Sequence, residues 1–253
     1  SVASSKIERL SASVDDYARA LGGSRANSSA RSMVAASEAL HRLVLSAGEG
    51  RDLQLDDILT AHRDLMADDA AESAYAGRLR DLQNWIGGSD HSPRDALFVP
   101  PAPERLEELI IDLLAWMRRD DVPALAHAAI AHAQFESIHP FTDGNGRIGR
   151  ALISALLRRR GVTRNIVMPL ASGILGIRDE YFDALTSYRA GDTVEIIQIV
   201  TRSAHVAAVE SRASIDELQG LPAEWRSLLP GRRSTATERI IEALFSNPVM
   251  AAD

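Results

Sequence analysis

Apolar residues recur every three to four positions along most of this chain, and that spacing predicts one helix after another. Ala, Leu, Arg and Glu dominate, while runs of β-branched residues are scarce. Helices are expected over 28–45 and 55–65, the second with Asp56 and Asp57 early, where the helix dipole favours them. Leu106, Leu109, Ile110, Leu113 and Met117 predict an amphipathic helix over 103–118, opened by Pro103. The next helix, 123–137, ends just before His139. A further one buries Ile148, Leu152, Ile153, Leu156 and Leu157, and stops at Arg158-Arg159-Arg160-Gly161, with cations and a glycine suited to a C-terminus. A long helix is expected from 193 to about 218, with Gly220 just past its end. Pro222, Pro230, Gly231 and the run from Arg232 to Thr235 read as a linker before a last short helix over 237–245. Trp116 and Trp225 read as core.

One stretch departs from this period. Between Gln83 and Pro101 lie Trp85-Ile86, then Gly87-Gly88-Ser89-Asp90, then Leu97-Phe98-Val99 closed by two prolines. That order predicts a β-hairpin resting on a helical body. The fold class is therefore all-α with one small hairpin.

Composition narrows the function. The 253 residues carry a net charge of -7, which argues against coating nucleic acid or anionic membrane by charge alone. Cysteine is absent, so neither disulfides nor thiolate metal sites are possible. There is no uninterrupted apolar run of membrane-spanning length and no signal pattern, and a cytoplasmic location is expected. Lys6 is the only lysine.

The chemistry gathers in His139-Pro140-Phe141-Thr142-Asp143-Gly144-Asn145-Gly146-Arg147-Ile148-Gly149-Arg150. Gly144 and Gly146 let backbone approach a ligand, and the first amides of the following helix make an anion site. Arg147 and Arg150 share a face of that helix and offer planar forks suited to phosphate. Asp143 is a hard oxygen ligand for a magnesium ion that arrives on a nucleotide. His139 titrates near neutrality and can take a proton from an attacking hydroxyl. Gly-Asn-Gly alone is also compatible with an ordinary helix start. It is the whole set at this spacing that points to a nucleotide site. Neither the lysine nor the spacing of a Walker loop is present.

The run resembles, at every defined position, the H-x-F-x-[DE]-G-N-G-R-x-x-R signature of Fic-domain proteins. Segments 78–103 and 132–150 look like that family's flap and core, and the likeness extends over about 1–210. The resemblance implies a helical enzyme that transfers AMP from ATP to a protein hydroxyl. His139 would be the general base, and Asp143 would hold Mg2+. Gly144, Asn145 and Gly146 would line the anion hole, Arg147 would orient pyrophosphate and Arg150 would hold the γ-phosphate. Phe141 would be a core anchor. A flap at about 83–100, with Trp85, Ile86, Leu97, Phe98 and Val99, would align a target peptide; a surface hairpin without a role is the plainer alternative. Tyr181, which falls with Phe182 and Tyr188 on a late helix, is a candidate nucleotide contact, though core packing is the safer reading of all three.

Ser4-Ser5-Lys6-Ile7-Glu8 resembles the family's inhibitory helix, [ST]-x-x-x-E followed by Gly or Asn, whose glutamate pairs with the second motif arginine. Here the pair would be Glu8 with Arg150. Arg9 departs from the pattern, and a serine-capped helix start is the plainer reading of Ser4. The pattern begins almost at the first residue, so upstream sequence is expected to be missing. The chain divides into an inhibitory region 1–20, a catalytic core 21–210 and C-terminal helices with linker 211–253. Residues 235–250 look like the opening of a winged-helix module, truncated here, so DNA would be a partner only if that module were complete. The expected partner is a target protein bearing a Ser, Thr or Tyr hydroxyl; self-modification and a homodimer are further possibilities. The same site using another nucleotide donor, or removing AMP, is the alternative chemistry; a nucleotide-binding regulator that acts through a C-terminal DNA-binding module is the alternative from another class. His127 and His132 are spaced wrongly to converge on a metal with His139, so they are expected to be packed.

Overall fold

A computed structural model describes the chain except residues 1, 9, 24–25, 49–50, 68, 70, 90, 165–166, 229–234 and 247–253. The helices are α1 (Val2–Ile7), α2 (Val14–Leu21), α3 (Ser28–Ser46), α4 (Leu55–Met66), α5 (Leu106–Met117), α6 (Ala124–Ile138), α7 (Asn145–Arg159), α8 (Leu170–Leu175), α9 (Arg178–Arg189), α10 (Val194–Leu228) and α11 (Thr235–Ser246).

Local chemistry sets several boundaries. Asn27 caps α3 by accepting from the Ala30 amide at 2.8 Å. Gln54 and Asp57 form a reciprocal capping box at the start of α4. The first turn expected at Pro103 is a 3-10 turn, Pro103–Arg105, that feeds α5.

The antiparallel pair α6 and α7, joined by the motif loop, forms the centre. Ala128, Ala129, Ala131 and Ala133 are fully buried, and these small side chains let α5, α7 and α10 close on α6 from different sides. α3 lies along α7. Ile148, Leu152, Ile153, Leu156 and Leu157 of α7 are all buried. A second apolar cluster joins Ile7 of α1 to Tyr181, Leu185, Ile196 and Ile199, so α1 is packed into the body.

Three expectations are corrected. The hairpin forms no continuous strands among the described residues; it has two isolated antiparallel bridges, Ile86 with Phe98 and Ser89 with Ser92. Positive φ at Gly87, Gly88 and Asp95 turns the backbone out of register beside the bridge. The long helix does not stop near 218. α10 runs through Gly220 and Pro222 to Leu228, where Arg226 pairs with Glu238 of α11 at 3.0 Å. This contact with α11 offsets part of the helical cost of glycine and proline. Trp225 is therefore half-buried on that extension, away from the core, whereas Trp116 packs against the main core. The expected linker residues Pro230 to Ser234 lie outside the described residues, as do Asp90, Arg9 and the 247–250 part of the winged-helix likeness. Among the described residues no helix is long and apolar enough to cross a membrane.

Candidate active site

The loop between α6 and α7 is held from four directions. His139 ends α6 in a left-handed conformation, φ 50° and ψ 60°, which is costly for a non-glycine residue. Phe141 is fully buried and stacks on His62 at 3.8 Å between centroids. His62 Nδ1 accepts the Gly77 amide at 3.0 Å, so its Nε2 carries the proton and donates to the Asp143 carbonyl at 3.1 Å. Arg80, also buried, donates to the His139 carbonyl at 2.9 Å and to the Leu82 carbonyl at 3.0 Å, tying the flap's base to the loop. Asn145 places both side-chain atoms on the Phe141 backbone, at 2.9 and 2.8 Å.

That last contact refines the expected role of Asn145. Its side chain folds the loop, so only its backbone amide is available for an anion. Gly144, with φ 79°, turns the chain into α7. The first amide bonded within the helix is that of Ile148, to the Gly144 carbonyl at 3.0 Å. The amides of 145–147 stand ahead of the helical ladder at the positive end of its dipole.

Around this cradle the structure brings together His139, Asp143, Arg147 and Arg150. His139 Nδ1 faces the Glu136 carbonyl at 3.4 Å, which leaves Nε2 as the acceptor. Burial lowers the His139 pKa to about 4 against the opposing pull of that carbonyl; Arg189 and Arg80 lower it further. The imidazole is thus neutral at pH 7. Asp143 accepts from the Gly144 amide at 2.6 Å and pairs with Arg147 at 3.2 Å, yet its side chain is 55% exposed. Among the described residues no group of three His, Cys, Asp or Glu converges as a metal cage. A lone, accessible carboxylate fits a cation that arrives on phosphates and keeps its waters.

Arg150 is buried, and α1 together with Glu8, the residue after it, supplies hydrogen-bond partners. Its Nε donates to Ser4 Oγ at 2.9 Å, and Nη2 donates to the Ser4 carbonyl at 3.0 Å and to Glu8 Oε1 at 2.7 Å. Ser4 lies inside α1, not at its start, so the capping reading of this residue is overturned. Arg178 donates to the Ile7 carbonyl at 3.0 Å and closes the far end of α1. Gly146 leaves room for this carboxylate: a Cβ on it would lie 2.1 Å from Glu8 Oε1 and would push the Glu8 side chain aside.

Tyr181 lies beneath the site. It is 1% exposed, packed in the second apolar cluster and hydrogen-bonded to His132 at 2.9 Å. His127 bonds the Trp116 carbonyl at 2.8 Å, so both histidines are packed. In the flap, Trp85 donates to the Ser89 carbonyl at 2.7 Å and the Arg189 guanidinium lies 4.2 Å over the Phe98 ring. Leu97 and Val99 are exposed, at 82% and 49%. His62, Arg80, Glu136 and Arg189 were not singled out from sequence; nothing in their local spacing marks them, since each acts through a contact made by the fold.

Residues 52–157 match the Fic/DOC family. The chain contains a Fic/DOC domain. Its relatives include "Protein adenylyltransferase Fic" of Nematostella vectensis, 34% identical over 158 residues, covering 61% of this chain and 33% of that protein. "Protein adenylyltransferase fic-1" of Caenorhabditis briggsae is 30% identical over 161 residues, covering 62% of this chain and 28% of that protein. The chain thus spans a third or less of the length of these relatives. In fold, the chain with its Fic domain is similar to a Fic family protein from Desulfovibrio desulfuricans, with a TM-score of 0.71 at 22% identity, over 97% of this chain and 75% of that one. It is also similar to a Fic-1 fragment from C. elegans, with a TM-score of 0.64 at 24% identity, over 85% and 62% of the two chains.

The Fic domain also contains a tight crossing. A Cβ on Gly149 would lie 2.7 Å from Glu136 Oε1 and 3.0 Å from His132 Nδ1, both buried in the interior. Gly149→Ala is expected to cost about 2 kcal/mol through overpacking. Thermal unfolding followed by circular dichroism should show a midpoint lowered by roughly 6 °C. An unchanged midpoint would mean that α6 and α7 are not this close.

Proposed function

We propose that this protein transfers AMP from ATP to a Ser, Thr or Tyr hydroxyl of a protein, and that α1 restrains the reaction. The observation that carries the reading is a neutral imidazole and a buried guanidinium flanking the open amides of α7. Relatives named protein adenylyltransferase support it.

The triphosphate would lie on the amides of 145–147, with Arg147 and Arg150 on its outer phosphates. The target hydroxyl oxygen attacks the α-phosphorus, forming one P–O bond. The bond to the β-phosphate oxygen breaks and pyrophosphate leaves. His139 Nε2 takes the hydroxyl proton. Asp143 is the residue that would hold Mg2+, which when bound neutralises phosphate charge. The exposed edge at Leu97 and Val99 supports a flap role of pairing with an extended target peptide.

Glu8 supports the restraint, because it holds the guanidinium assigned to the terminal phosphate. ATP would have to displace a carboxylate at 2.7 Å from Arg150. Intact-protein mass spectrometry after incubation with ATP and magnesium tests the whole reading. An added AMP on Glu8→Gly, absent from Glu8→Gly/His139→Ala, is the expected result. If lysate proteins also remain unlabelled by Glu8→Gly, the transferase reading fails.

The depressed pKa of His139 predicts the pH profile. The base works only when deprotonated, so activity is lost as pH falls through about 4. The kcat/KM of Glu8→Gly is therefore expected to stay flat from pH 8 to about pH 5, on that pKa. An acid limb centred near 6.5 would show that burial does not act on this imidazole as described.

A further inference from the structure

A cavity of ≈ 360 Å³ opens between α1, α3, α7 and the segment entering α8. That size suits a small organic ligand. Neither His139, Asp143 nor any residue of 144–146 lines it, so it adjoins the cradle just described and shares with it only Arg147 and Arg150. Three polar groups matter in its wall: Ser4 from α1, and Arg147 and Arg150 from α7. Most of the rest is aliphatic, with Leu40, Val44 and Leu170 among the lining residues.

The two cations of this wall are paired from outside it: both guanidinium side chains are only 4% exposed, Arg147 pairs with Asp143 and Arg150 with Glu8, and no Asp or Glu lines the cavity itself. The Nε of Arg147 is buried without a hydrogen-bond partner among the described residues. Buried cations in a low-dielectric wall attract an anion more strongly than exposed ones do. Glu8 is not a lining residue, so an anion held here leaves the Glu8–Arg150 pair in place.

We propose that this cavity is a second binding site, for a small organic anion with an apolar body, and that its occupant holds α1 in its docked position. The sign follows from linkage. Ser4 is part of the wall, so the site is complete only with α1 in place, and a ligand that prefers the docked state shifts the population towards it. Binding is independent of the transferase reading; only its effect on catalysis rests on that reading.

The test uses anilinonaphthalene sulfonate, an apolar body with one anionic group, and needs no activity. Lys6 is the only lysine, exposed but within docked α1. Lysyl endoprotease can cut there only when α1 opens locally. The expected result is saturable fluorescence with the whole chain, and cleavage slowed about tenfold at ten times the probe's Kd. Val167→Trp and His41→Trp place bulk at two exposed lining positions and leave both arginines untouched. Each variant, once circular dichroism shows it folded, is expected to bind the probe roughly tenfold more weakly and to lose the protection.

Four results overturn the proposal: no saturable binding, binding unchanged in both variants, faster cleavage with probe, or full displacement of the probe by ATP. The last would make the cavity part of the nucleotide site. A transferase that fails to label protein leaves the fluorescence and cleavage results standing, so the two readings fail separately.

Discussion

Glu8→Gly is expected to raise the rate of AMP transfer about ten- to thirtyfold over wild type. The Glu8–Arg150 contact is a charge-assisted hydrogen bond of 2.7 Å to a guanidinium that is itself buried. Such bonds contribute about 1.5–3 kcal/mol, and the lower part of that range applies because the Glu8 side chain is 34% exposed. A difference of about 1.5–2 kcal/mol corresponds to the stated factor in the population of free Arg150. Glycine at position 8 also removes the carboxylate that lies against Gly146. Ser4→Ala removes one neutral acceptor from the same arginine and is expected to give only a few-fold rise. Initial rates with labelled ATP check both. If neither variant exceeds wild type, the α1 contact is structural and not inhibitory.

The parts of this site legible in sequence are those that lie close along the chain. His139, Asp143, the glycine turn and the two arginines fall within one loop and one helical turn, so residue type and spacing place them together. The Ser4–Glu8 pattern was readable for a different reason: a short motif resembled one whose partner could be named. What escaped was carried by residues whose roles exist only after folding. Arg80 and His62 look like ordinary polar residues in sequence, yet their side chains hold the loop from 59 and 81 residues away. Asn145 was legible as part of the turn, but its side chain folds the loop instead of facing a ligand. The hairpin was read from its apolar runs and breakers, whose paired glycines also prevent strands from forming. Gly220 and Pro222 are local stop signals in the sequence, while the contact of α10 with α11 beyond them is a tertiary one.

In the Glu8→Gly background, His139→Ala is expected to lower transfer about a thousandfold, within the range that a positioned general base supplies. The argument rests on position and protonation together. The left-handed backbone at 139 turns the chain sharply at the end of α6, and the Nδ1 contact with the Glu136 carbonyl orients the ring. With its pKa near 4, the imidazole is almost wholly in the accepting form at pH 7. Alanine leaves the anion cradle and both arginines intact, so ATP affinity should stay within about twofold while the chemical step slows. A His139→Asn variant keeps a polar side chain but cannot take up a proton, and it should be as slow as alanine. Single-turnover rates and direct ATP-binding titrations separate these effects. Equal losses of binding and rate would make His139 a structural support of the loop, and a fast asparagine variant would remove proton transfer from its role.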